Sequence, residues 1–206
     1  MSVVPYHDKV FSVLGANNHS DNIREKDDFY ATNPKTLELL LDKLESDNYA
    51  LNKNVWECAV GAGHLADVLK KRGYNVHGSD LIDRGYPNTE ILDFMRATER
   101  PFNSLCIITN PPYKMAEKFV AKALSLLKDG EQLVFILKVQ FLEGQSRYDL
   151  YQANPPKYVY VHSTRQACAM NGEFIKDGKE IGSAVCYCWY IWEKGYKGDT
   201  VVRWIR

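Results

Sequence analysis

Val55-Trp56-Glu57-Cys58-Ala59-Val60-Gly61-Ala62-Gly63-His64-Leu65-Ala66 reads as a short apolar strand that breaks on two glycines and restarts as a helix. Leu65, Val68 and Leu69 continue at helical spacing until Gly73 closes the helix. Tyr74 to Gly78 is a second strand, ending in Ser79-Asp80. The same alternation extends in both directions. Upstream, Pro34 starts a helix whose apolar face is Leu37, Leu40, Leu41 and Leu44. Downstream, the strand Leu105–Thr109 precedes a helix lined by Met115, Phe119, Ala123 and Leu127. Gln132–Leu137 is a buried strand, and Tyr148–Gln152 is a helix stopped by Asn154-Pro155-Pro156. Tyr158–His162 and Ala184–Trp192 are the last strong strands, joined by a polar stretch, Ser163–Ser183, containing Gly172, Gly178 and Gly182. Strands alternating with helices imply an α/β fold: a mostly parallel sheet with helices on both faces. The final two strands have no helix between them, so they are expected as an antiparallel pair at one edge.

The chain has 206 residues, the size of one domain with one sizeable core. Residues 1–27 are polar and rich in Asn, Asp and His, and read as a flexible N-terminal arm, either a disordered tail or a flap that orders over a ligand. Residues 28–206 are expected to form a single domain, with no linker-like run and no repeat. The start lacks the basic and apolar regions of a signal peptide, and no apolar run is long enough to span a bilayer, so a cytoplasmic location is expected. Cys58, Cys106, Cys168, Cys186 and Cys188 form no CxxC pair and have no histidine at zinc-ligand spacing. They are expected to be buried free thiols, with no metal site. Lys+Arg and Asp+Glu both count 26, so a nucleic-acid partner would require a local basic patch rather than overall positive charge.

The glycine loop lies where an α/β sheet binds ligands, and Asp80 closes the next strand, where a carboxylate can bond ribose hydroxyls. Gly61-Ala62-Gly63-His64-Leu65-Ala66 approximates a dinucleotide fingerprint, so an NAD(P)-binding oxidoreductase stands as a rival. Glu57 weighs against it. A buried carboxylate beside the loop repels pyrophosphate but suits a ligand with an ammonium or cationic sulfur.

Ile107-Ile108-Thr109-Asn110-Pro111-Pro112-Tyr113-Lys114 is the most informative stretch for chemistry. Two prolines after an apolar strand stiffen the chain and remove two N–H donors. What remains is rich in acceptors: the Asn110 side-chain oxygen and the Pro111 carbonyl. That pair can take both hydrogens of an NH₂ group, and Tyr113 supplies a flat face for a base.

These motifs resemble the S-adenosylmethionine-dependent amino methyltransferases, most closely the small phage- or prophage-type DNA N6-adenine enzymes. The likeness covers most of the chain from about residue 15. Asp28-Phe29-Tyr30-Ala31-Thr32-Asn33-Pro34 resembles the family's N-terminal cofactor motif, which implies Tyr30 and Thr32 near the methionine moiety. Glu57 to Gly63 resembles the central cofactor loop, implying Glu57, Ala59, Gly61 and Gly63 as cofactor-binding, and Asp80 matches the ribose-binding acid. Asp93-Phe94 resembles the pair that meets the cofactor adenine. Asn110, Pro111, Pro112 and Tyr113 match the catalytic motif. The resemblance implies a Rossmann-like class I methyltransferase sheet, S-adenosyl-L-methionine as cofactor, and a flipped adenine in DNA as substrate.

Larger members carry a separate target-recognition domain, and the short interval between Asp93 and Asn110 leaves no room for one there. Target contacts are then expected from the 1–27 arm, the Gly144–Arg147 turn and the Ser163–Ser183 connection, which includes Arg165. Lys138 and Gln140, after the Gln132–Leu137 strand, are further substrate-binding candidates. Arg96, Arg100, Lys114, Lys118, Lys157 and Arg165 are candidates for a basic rim. Glutamine side chains and RNA bases also offer a planar NH₂, so protein and RNA amino methylation stay open as alternatives.

Overall fold

The computed structural model describes residues 31–101, 103–164, 168–169, 174–176, 179–180 and 185–206. The expected arm at 1–27, Tyr30 and Arg165 lie outside these residues. The apolar strands bury both of their faces, which requires helices on either side of one sheet. In chain order the strands are β1 (Ala31–Thr32), β2 (Asn54–Glu57), β3 (Asn75–Asp80), β4 (Glu90–Ile91), β5 (Cys106–Thr109) and β6 (Gln132–Lys138). They continue as β7 (Tyr158–His162), β8 (Cys168–Ala169), β9 (Ile175–Lys176), β10 (Lys179–Glu180), β11 (Tyr187–Glu193) and β12 (Val201–Ile205). The helices are α1 (Pro34–Ser46), α2 (His64–Lys71), α3 (Ala116–Leu126) and α4 (Tyr148–Ala153).

The main sheet runs β12-β7-β11-β6-β5-β2-β3-β4. All neighbouring pairs are parallel except those of β11, which is antiparallel to both β6 and β7. The antiparallel pair expected from the polar connection is therefore present. It is not at the edge, because β12 adds to β7 in parallel register, Val201 against Tyr158. Strand order reverses between β2 and β5. Such a switch point opens a crevice beyond the carboxyl ends of the strands.

Two apolar layers flank the sheet. On one face Leu37, Leu40, Leu41 and Leu44 of α1 and Leu65, Val68 and Leu69 of α2 pack on Val55, Ile108, Ile136 and Trp189. On the other, Phe119, Val120, Ala123 and Leu124 of α3 pack on Trp56, Ile107, Phe135 and Tyr190. The helical spacing was read correctly, except that Met115 precedes α3 and is 37% exposed, and Leu127, though buried, is the residue that caps its end. Asn33 caps α1, its side-chain oxygen accepting from the Lys35 amide at 3.1 Å, with Pro34 in the first turn. Cys58, Cys106 and Cys188 are buried free thiols and Cys186 is half-buried. No helix among the described residues is long and apolar enough to cross a membrane.

Candidate active site

The β2–α2 turn is built by two left-handed glycines and one carboxylate. Gly61 has φ +56° and Gly63 φ +84°, conformations that cost a side-chain-bearing residue free energy. A β-carbon on Gly63 would overlap the Tyr86 ring. That ring is held in turn: its hydroxyl donates to Asp67 at 2.8 Å and accepts from Lys70 at 3.0 Å. Asp80, at the end of β3, accepts from the Gly61 amide at 2.8 Å and from the Ile82 amide at 3.1 Å. Its carboxylate thus fixes the loop while facing the crevice.

Glu57 ends β2 and is 1% exposed. Burial pushes its carboxyl up to about 8, an effect opposed by hydrogen bonding, including a long contact from the Ala59 amide at 3.4 Å. A cation placed beside it would restore the ionised form. An anion would not.

Asn110 follows β5 directly. Its Nδ2 donates to Thr32 Oγ1 of β1 at 2.9 Å. Thr32 is 4% exposed, and its strand pairs antiparallel with β8, Thr32 against Cys168 and Ala31 against Ala169. The Ser163–Ser183 connection therefore reaches back to the strand that touches Asn110. Pro111 is buried, and Pro112 and Tyr113 are half-buried. The Tyr113 ring stacks on Tyr187 with centroids 5.5 Å apart and planes 29° apart. The Lys138 ammonium lies 5.3 Å from the Tyr113 centroid, within cation–π range.

One crevice gathers Thr32, Glu57, Ala59, Gly61, Asp80, Asn110, Pro111, Pro112 and Tyr113. Gly63 sits beside it, under Tyr86 rather than in the lining. Asp93 and Phe94, expected against a cofactor adenine, are not brought there. The Asp93 side chain caps a 3₁₀ turn by accepting from the Met95 amide at 2.9 Å and pairs with Arg96 at 3.4 Å. The Phe94 ring, 3% exposed, packs in the core against Trp56 at 5.2 Å and Phe119 at 4.9 Å. The turn points its aromatic inward. Gln140 is exposed on the turn after β6, and Lys138 reaches the site through Tyr113. Of the candidate basic rim, Arg96, Arg100 and Lys157 pair with Asp93, Glu131 and Glu193.

Three contributors escaped the sequence reading. Arg84 and His64 line the crevice, and Tyr187 backs Tyr113. His64 meets Phe174 edge-on at 5.6 Å, and burial lowers its imidazole below the ordinary histidine range. His64 was visible as the residue after Gly63. Arg84 and Tyr187 carry no local signal, because their positions depend on the path of a loop and the register of β11.

No family model matches the chain, and no curated protein matches it in sequence. Solved structures do match in shape. A protein of Pyrococcus horikoshii, PH1948, assigned as an RNA methyltransferase, aligns with TM-score 0.61 at 16% identity, over 91% of this chain and 98% of that one. Protein lmo1582 of Listeria monocytogenes, assigned as a class I S-adenosylmethionine-dependent methyltransferase, gives 0.57 at 12% identity, over 96% and 71%. The type IIG restriction endonuclease BpuSI gives 0.54 at 14% identity, over 95% of this chain but 28% of the larger enzyme. With its parallel sheet, reversed strand β11 and crevice at the switch point, this chain has the Rossmann-like fold of the class I methyltransferases.

Proposed function

We propose that the chain is an S-adenosylmethionine-dependent methyltransferase acting on an exocyclic amino group, N6 of a flipped adenine in DNA. The observation that carries this reading is the meeting of the glycine loop and Asn110–Tyr113 in one crevice. The donor set fits the cofactor. Asp80 offers carboxylate oxygens to hydroxyls, and Glu57 offers a buried carboxyl whose ionised form a cation favours. When bound, S-adenosylmethionine supplies an electrophilic methyl group on a sulfonium that leaves as a neutral thioether.

Asn110 Oδ1 and the Pro111 carbonyl accept the two N–H groups of the target and draw its nitrogen toward tetrahedral geometry. The lone pair is then freed and aimed at the methyl carbon. Tyr113, braced by Tyr187, presents a face for the extruded base. The methylated nitrogen loses its extra proton to water, so the chain needs no strong base. The entry motif at Asp28 to Pro34 supports DNA as substrate. RNA amino methylation is a second reading, favoured by the shape match to PH1948. A nicotinamide cofactor is disfavoured by the carboxyl of Glu57 beside the loop.

The test is transfer of labelled methyl to DNA, RNA and protein, with methylated adenines mapped in DNA from expressing cells. Label in adenine N6 of DNA is expected. Label confined to RNA or protein overturns the substrate. Asn110→Ala should lower turnover by about 100-fold or more while leaving cofactor affinity intact. Unchanged turnover would remove Asn110 from the chemistry.

A further inference from the structure

An asparagine amide is planar and two-faced. One corner is a carbonyl acceptor, the other an NH₂ donor, and a half-turn about the last side-chain bond exchanges them. An amino-group substrate demands the acceptor corner. The flipped amide would set donor against donor and leave the substrate N–H groups without partners. The Asn110 side chain is therefore best held in place before substrate arrives.

Thr32 is in place to do this. Its Oγ1 lies 2.9 Å from Asn110 Nδ2, in a buried position on β1. β1 is in turn held by its ladder to β8. In this bond the hydroxyl accepts and fills the donor corner; since a hydroxyl can also donate, what the bond fixes is the position of the Asn110 side chain. The Asn110 backbone is confined on both sides, by the buried end of β5 and by buried Pro111.

We propose that Thr32 is a positioning residue that anchors the Asn110 side chain beside the Pro111 carbonyl, so that the two acceptors stand ready for a planar NH₂ group rather than a lone hydroxyl. A hydroxyl has one hydrogen to give and would leave one acceptor unsatisfied. The role differs from the methionine contact implied for Thr32 by family resemblance, and it rests on the reading of Asn110 given above.

Three measurements on the full chain test it. In the first, asparagine side chains are labelled with ¹⁵N, and the Asn110 pair is identified by its loss in Asn110→Ala. Thr32→Val should shift that pair and speed its hydrogen exchange, and Thr32→Ser should leave it near wild type. This reads the bond without activity, so it holds even if plasmid DNA proves not to be a substrate, an outcome that counts against the proposed function alone. In the second, methyl transfer to unmethylated plasmid DNA should fall about 10- to 100-fold in kcat for Thr32→Val, with Thr32→Ser restoring most of it. In the third, calorimetry should find the affinity of Thr32→Val for S-adenosylmethionine within about twofold of wild type. Thr32→Ala takes the place of the valine variant if that one does not fold. An unchanged Asn110 pair overturns the proposal. So does weakened cofactor binding with unchanged kcat, which would make Thr32 a cofactor contact, and so does a serine variant as poor as valine.

Discussion

Burial at the end of β2 lets Glu57 hold its proton to about pH 8. A cation bound beside it favours the carboxylate, so binding of S-adenosylmethionine should release a proton and tighten as pH rises toward 8. Calorimetry in buffers of different ionisation enthalpy measures that release, and Glu57→Gln should abolish it along with most of the affinity. The effect on stability has the opposite sense. The folded value lies above the ordinary 4.5, so the folded state holds an extra proton between about pH 4.5 and 8 and loses stability as pH rises across that window. Glu57→Gln should therefore melt higher than wild type at pH 8 and close to it at pH 4. Residues such as Glu57, Asp80 and Asn110 were legible in the sequence because their types carry the chemistry and strand ends place them. Phe94 was not. An aromatic beside an acid reads alike whether it faces a ligand or the core, and only the inward turn after Asp93 decides. The Thr32–Asn110 bond joins residues distant in the chain, and no spacing rule reports it.

At the level of elements, the tie between α1 and β12 has a defined pH response. Asp47 caps α1 and meets Lys43 at 2.7 Å, Arg203 of β12 at 2.6 Å and the donating Tyr160 hydroxyl at 2.9 Å. Burial alone would raise its carboxyl, but these three partners outweigh burial and bring it down to about 2. A depressed folded value contributes stability that is present above the ordinary 3.8 and lost as pH falls toward 2. Asp47→Asn should lower the melting temperature at pH 7, and the gap to wild type should close on acidification to about pH 2. Equal gaps at both pH values would show that the carboxylate charge contributes nothing. β12 itself escaped the sequence reading. Val201 to Ile205 is short, and Val201, Val202 and Trp204 are exposed, so its alternation lacks the buried face that marks the inner strands. β11 was legible as a strand, but its insertion between β6 and β7 was not, because register is decided by partners far away in the chain.

For the molecule as a whole, ligand and fold are linked by mass action. S-adenosylmethionine at about 100 times its Kd should stabilise the folded chain by about 2.7 kcal/mol, raising Tm by about 5–11 °C. Asp80→Ala should lose that rise and Asn110→Ala should keep it, a contrast that separates cofactor binding from catalysis in one thermal series. The ladder between β1 and β8 has a consequence of a different kind. It joins the segment before α1 to the segment after β7, closing a circuit of chain that includes most of the main sheet, and it does so with two residues on each side. Two residue pairs supply few ladder hydrogen bonds. The ladder therefore opens at a smaller free-energy cost than the sheet beside it. An opening that carried Thr32 away from Asn110 would leave the core folded, so the fraction of molecules ready to react would follow a local equilibrium, separate from global stability.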